Sequence, residues 1–149
     1  MKFIGIYFLG ILLIFACAGI RPQIHQFENK EIIEGSFDKI WSAIIETFAE
    51  KNIPISTMEK VSGFIATEEM KFSSSYADCG SSPVGIKLTF WKDPLGKFNV
   101  FVKMISENKF NITITANYRI TGNGNVQNCT STGELEIWFM ATLREKLSK

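Results

Sequence analysis

The stretch Phe110 to Thr121, FNITITANYRIT, alternates without a break. Phe110, Ile112, Ile114, Ala116, Tyr118 and Ile120 take one parity; Asn111, Thr113, Thr115, Asn117, Arg119 and Thr121 take the other. Successive side chains of a strand point to opposite faces, so the stretch has one apolar face and one polar face. A helix would scatter the same residues around its circumference. The pattern predicts a β-strand in an antiparallel sheet covered on one side only. The rest of the chain must pair with this strand or cover its apolar face.

The cover is legible on both sides of it. Phe37, Ile40, Trp41, Ile44, Ile45 and Phe48 recur at spacings of three and four, the stripe of a helix. Ser36 stands where a cap hydroxyl is needed, and Asn52 and Pro54 end the pattern. A second helix is expected after Ser131-Thr132-Gly133-Glu134, which fits a capping box with Glu134 reaching back to Ser131. Leu135, Trp138, Phe139 and Leu143 supply its apolar face. Glu134 and Glu136 fall at its positive end, and Arg144, Lys146 and Lys149 at its negative end.

Further strands are expected over residues 31–35, 86–90, 98–104 and 126–129, with 55–60 and 64–70 as two strands or one bent strand. Asp93-Pro94-Leu95-Gly96 reads as the turn of a hairpin joining Ile86–Phe90 to the run from Phe98. Lys71 to Pro83 reads as a serine-rich loop that carries Phe72, Tyr76 and Cys79. It is long for a connection in a compact domain, and such loops tend to be functional or mobile. The resulting order, β-α-β-β-β-β-β-α, predicts an α+β fold: an antiparallel curled sheet with two helices on one face.

The first sixteen residues differ from the rest. Lys2 is their only basic residue, and Phe3 to Phe15 is an apolar run interrupted by Gly5 and Gly10. A charged start, an apolar core and a small-residue exit make a secretory signal peptide over 1–16. The run is short for a hydrocarbon core of roughly 30 Å, so a membrane-spanning anchor is the alternative. Arg21 to Lys30 is polar and reads as a tether. Without Lys2, 15 basic residues face 15 acidic ones, the chain having 16 and 15 in all. That balance, and the lack of a Lys/Arg run, argue against a nucleic-acid binder.

Ile14-Phe15-Ala16-Cys17 resembles the lipobox of bacterial lipoproteins. The resemblance implies cleavage before Cys17 and a diacylglycerol on its sulfur, with residues 17–30 as lipidated cysteine and tether and 31–149 as one domain. Several acyl chains hold a protein stably on a membrane, at about 0.8 kcal/mol per buried CH₂. Ala18 after the cysteine, in place of Asp, points by the same resemblance to the outer membrane, facing the periplasm. The alternative is an ordinary signal peptide cut near Ala18. With Cys17 assigned to lipid, Cys79 and Cys129 remain, and two cysteines in an exported domain point to a disulfide; two free thiols are the alternative. The element order and the FDKIWSAIIETFAEKN helix after a short strand resemble the helix-grip arrangement, and within it the small domains of accessory lipoproteins such as BamC of the barrel-assembly machinery.

Catalytic patterns are missing from the sequence. His25 is the single histidine and lies in the polar stretch. There is no CxxC, no HExxH and no glycine-rich phosphate loop. Asn111-Ile112-Thr113 and Asn128-Cys129-Thr130 match the glycosylation sequon, which matters only in a eukaryotic secretory pathway. The expectation is a non-catalytic envelope lipoprotein without cofactor or metal, binding the membrane through its anchor and another envelope protein through its domain. Candidate binding surfaces are the polar strand face (Asn111, Thr113, Thr115, Asn117, Arg119) and the loop aromatics Phe72 and Tyr76. The alternative is a carrier of a small apolar ligand or lipid between helix and sheet, suggested by thirteen Phe and three Trp.

Overall fold

The structure is a computed structural model that describes residues 19–82, 84–88, 92–122 and 125–149. The signal-peptide stretch and Cys17 lie outside the described residues. Among the described residues ten elements follow in order: β1 (Lys30–Glu34), α1 (Phe37–Glu50), β2 (Ile55–Glu59), β3 (Phe64–Thr67), β4 (Met70–Lys71), β5 (Ala77–Asp78), β6 (Leu95–Ser106), β7 (Lys109–Gly122), β8 (Asn125–Ser131) and α2 (Glu134–Leu147).

The centre of the molecule is the long β6–β7 hairpin. Its register pairs Gly96 with Tyr118, Phe98 with Ala116, Val100 with Ile114 and Val102 with Ile112. Directly opposite residues share a face, so these side chains form one apolar layer. The other edge of β7 is divided between β1, which pairs with 109–113, and β8, which pairs with 118–122. The other edge of β6 is divided between β3, at 99–101, and β4, at 95–96. β2 and β5 extend the sheet at its two ends.

Both helices lie on the apolar layer. Phe48 of α1 stacks on Phe98 at 5.4 Å, and Phe139 of α2 meets the same two rings at 5.4 and 5.7 Å. Ile40, Ile44, Phe48, Phe98, Ile112, Ile114, Phe139 and Leu143 are fully buried. The Ser36 hydroxyl accepts from Lys39 N at 3.3 Å and starts α1. Lys146 joins the helices through Glu50 at 2.6 Å, and Arg144 joins α2 to β1 through Glu31 at 2.7 Å.

Several expectations need correction. The helix-grip reading, one strand, a helix, four or five strands and a last helix, is replaced by an eight-stranded antiparallel sheet. Two of the extra strands are short, and neither shows a period: β4 begins at the end of the expected 64–70 strand, and β5 sits inside the expected loop. The expected 86–90 strand is described over residues 86–88 alone, and these do not pair with β6, whose outer edge is taken by β3 and β4. Among its described residues, Lys87 forms a single bridge with Ser81; Thr89 and Phe90 lie outside the described residues. Leu95 and Gly96 are strand, not turn. Gly96 allows this: a Cβ there would lie 2.5 Å from Tyr118 Cδ1. Thr67 repairs the gap between β3 and β4, its hydroxyl accepting from Phe98 N at 3.0 Å.

The capping box is displaced as well. The residue before α2 is Gly133 in the left-handed region, φ +88°, with no side-chain cap of its own. Ser131 instead donates to the Glu136 carboxylate at 2.9 Å and accepts from Gly133 N at 3.1 Å. The carboxylate that answers Ser131 is therefore two residues later than the motif suggests.

Candidate functional site

Three regions bear on function: the disulfide end of the sheet, its polar face, and an apolar groove at the opposite end.

Cys79 and Cys129 form a disulfide that ties the segment after β5 to β8. Cys79 is buried. β5 pairs Ala77 with Ser131 and Asp78 with Thr130, so the bridge closes a two-residue ladder that has little pairing of its own. Asp78 is the hub of this end. Its carboxylate accepts from Gly80 N at 2.7 Å and Gln23 N at 3.2 Å, and its Oδ2 lies 3.3 Å from His25 Nε2. Burial alone would push the Asp78 carboxyl up; the two backbone N–H groups and the His25 ring outweigh it and hold it below its ordinary range.

Residues 21–30, expected as a tether, run along the domain. Gln23 and His25 attach to Asp78, Phe27 lies over Gly133, and Asn29 donates to Ile114 O at 3.0 Å. Gly133 is required here, since a Cβ would lie 2.4 Å from Phe27 Cγ. His25 and Asp78 were not legible as partners, because they are 53 residues apart in sequence and share no local pattern.

The polar face of β7 is placed as the alternation predicts. Thr115 and Asn117 are exposed, and Asn111, Thr113 and Arg119 are half-buried. Register sets Ile32 beside Asn111 and Phe101 beside Thr113, so apolar side chains interrupt this face. Arg119 is already engaged. Its Nε and Nη2 donate to the two carboxylate oxygens of Glu69 at 2.7 and 2.6 Å. The guanidinium holds the Glu69 carboxyl below its usual range. This pair links β7 to the β3–β4 connection and leaves Arg119 little capacity for a partner's carboxylate.

Phe72 and Tyr76 do not join the polar face. Phe72 packs edge-on against Tyr118, with centroids 5.2 Å apart, and against Tyr76 at 6.1 Å. Both are half-buried and pack against the core. Beneath them the Tyr118 hydroxyl is buried without a hydrogen-bond partner among the described residues. Burial, then the charge of Glu136, then Tyr76, push its pKa far up.

At the other end a groove of about 580 Å³ opens between the start of α1, the β2–β3 turn and the tip of β6. Phe37, Val61, Phe101, Val102, Met104 and Phe110 line it. Val61 is fully exposed, and Met104 is 63% exposed. An ion pair from Lys60 to Asp38, at 2.8 Å, joins the β2–β3 turn to α1. The space between helices and sheet is filled by Phe48, Phe98 and Phe139.

Among the described residues, no three His, Cys, Asp or Glu side chains stand together as metal ligands, and no helix is long and apolar enough to cross a membrane. No known family model and no curated protein sequence matches the chain.

Proposed function

We propose that this chain is an exported, lipid-anchored envelope protein whose domain acts as a non-catalytic interaction or assembly module. The observation that carries the reading is the Cys79–Cys129 disulfide in a chain that opens on a charged start, an apolar run and Ile14-Phe15-Ala16-Cys17. Structural disulfides persist in oxidising compartments and are rare in the cytosol. An export signal and a disulfide are independent features that agree on the compartment. The exposed partner surface is the mixed face of β1, β6 and β7, with Ile32, Phe101, Thr115 and Asn117.

The test is Cys17→Ser in the native host, followed by membrane fractionation and alkyne-palmitate labelling. Wild type is expected in the membrane fraction and labelled; the variant is expected to lose the label. A wild-type protein that takes up no label refutes the anchor. Cross-linking in intact cells addresses the module itself, and recovery of no specific partner counts against it.

The apolar groove favours a second reading, a carrier of a small apolar ligand held beside Phe37, Phe101 and Phe110. Native mass spectrometry on protein purified gently from its host decides between them: a bound lipid-sized mass supports the carrier, and a clean apo mass supports the module.

A further inference from the structure

The corner where the described chain begins is used by neither reading. Ile20 pairs with Ser81 and Ser81 with Lys87, two single bridges that set three segments side by side next to the disulfide. Ile20 N donates to Ser81 O and Ser81 N donates to Ile20 O, both at 3.0 Å. Gly80 permits this approach, because a Cβ there would lie 2.2 Å from Ile20 O. Three and five residues further on, Gln23 and His25 are fastened to Asp78. The chain is therefore pinned to the domain from Ile20 onward.

The surface of this corner is unusual for one so polar in its backbone. Ile20 is 59% exposed and Val84, at the tip of the 82–85 turn, is 78% exposed, with Ile86 partly exposed. Arg21 and Lys87 are exposed beside them. Neither makes an ion pair among the described residues. Apolar side chains flanked by free cations match the boundary of an anionic bilayer, where apolar groups sink roughly 5–10 Å between headgroups that attract Lys and Arg.

Cys17 precedes Ile20 by three residues. Three residues reach about 10 Å at full extension. A lipid on Cys17 would hold this corner within that distance of the bilayer, too close to swing freely. We propose that Ile20, Val84 and Ile86, with Arg21 and Lys87, dock on the lipid surface, so that the domain stands on the membrane by its disulfide end. The proposal rests on the lipid-anchor reading above. It also orients the molecule. Cys129 of the disulfide pairs with Tyr118, whereas the β2–β3 turn reaches β6 at Val102, opposite Ile112. Six residues of β7 separate these points, roughly 20 Å at about 3.3 Å per residue. The apolar groove would then face away from the membrane, open to a partner or ligand.

The test uses the full chain, lipidated in its host and reconstituted into vesicles of phosphatidylethanolamine and phosphatidylglycerol. Val84→Cys and, in a second protein, Val61→Cys each carry an environment-sensitive fluorophore; the native cysteines are taken up by lipid and disulfide. Brominated acyl chains are expected to quench the Val84 probe severalfold and leave the Val61 probe unchanged. Adding Arg21→Glu and Lys87→Glu should remove most of the Val84 quenching while the protein stays on the vesicles. Equal quenching at both positions, or none at Val84 in protein that remains membrane-bound, overturns the docking alone. A Val84 probe shielded from water but insensitive to bromine places a protein there and also overturns it. Protein that washes off the vesicles with carbonate overturns the anchor reading and the docking together.

Discussion

Replacing Tyr118 by phenylalanine should make this protein more stable. Tyr118 is 3% exposed, and its hydroxyl has no hydrogen-bond partner among the described residues. In the unfolded chain that hydroxyl is hydrated, so folding strips it of water and returns nothing. Leaving a buried polar group unmade costs about 1–3 kcal/mol. Tyr118→Phe removes the cost and keeps the ring, including its edge-on contact with Phe72 at 5.2 Å. The void left by one oxygen offsets part of the gain, so a net stabilisation of about 1 kcal/mol is expected, or a rise of roughly 3–5 °C in Tm for a domain of this size. The pH dependence gives a second, sharper sign. The folded phenol is raised above its ordinary pKa of 10.0 by burial first, then by Glu136 and Tyr76. Above pH 10 the unfolded phenol loses its proton while the folded one keeps it, so the native state is lost progressively as pH rises. One pH unit past that value the wild type should have given up about 1.4 kcal/mol that Tyr118→Phe retains. Urea titrations of both proteins at pH 7 and pH 11 measure each quantity. A variant about 1 kcal/mol less stable than wild type at pH 7 would refute the reasoning, because it would mean the hydroxyl has a partner worth keeping.

Other outcomes follow from the same contacts. Replacing both Cys79 and Cys129 by serine should lower stability by about 4 kcal/mol in the chain-entropy account for a separation of 50 residues, read from the urea midpoint. Phe98→Ala, at the junction of Phe48 and Phe139, should cost about 3–5 kcal/mol in the same assay, and should exceed any change at half-buried Phe72. The Asp78 carboxyl is held below its ordinary value of 3.8 against the pull of burial. Its contribution is present above that value and lost as pH falls through the folded pKa, so hydrogen exchange over residues 20–29 should accelerate in that acid range. Asp78→Asn should show the fast exchange already at pH 7.

The parts of the fold that were legible are those with an unbroken period. The β7 alternation and the α1 stripe each bury one face, and burial enforces the period. The Ser36 cap was legible because it acts over three residues. β4 and β5 were not, since two residues carry no period and their place depends on which edge of β6 or β8 is vacant. Leu95-Gly96 was misread because turn chemistry and close packing both call for glycine, and only the Tyr118 ring above it tells them apart. At the candidate site, the cysteine pairing followed from counting. The Arg119–Glu69 pair did not, as its partners are 50 residues apart and meet only once β3, β6 and β7 are in register. The edge-on contact of Phe72 with Tyr118 was not legible either, because the serines around Phe72 carry no period that would point its ring inward.

The central claim is that this is an exported protein held to a membrane by lipid on Cys17. Intact mass spectrometry of the protein, extracted by detergent from membranes of its own host, tests it most directly. The account predicts a chain that begins at Cys17, carries a diacylglycerol thioether and holds one disulfide. A chain that begins at Met1 or Ala18, with no added lipid mass, would contradict it.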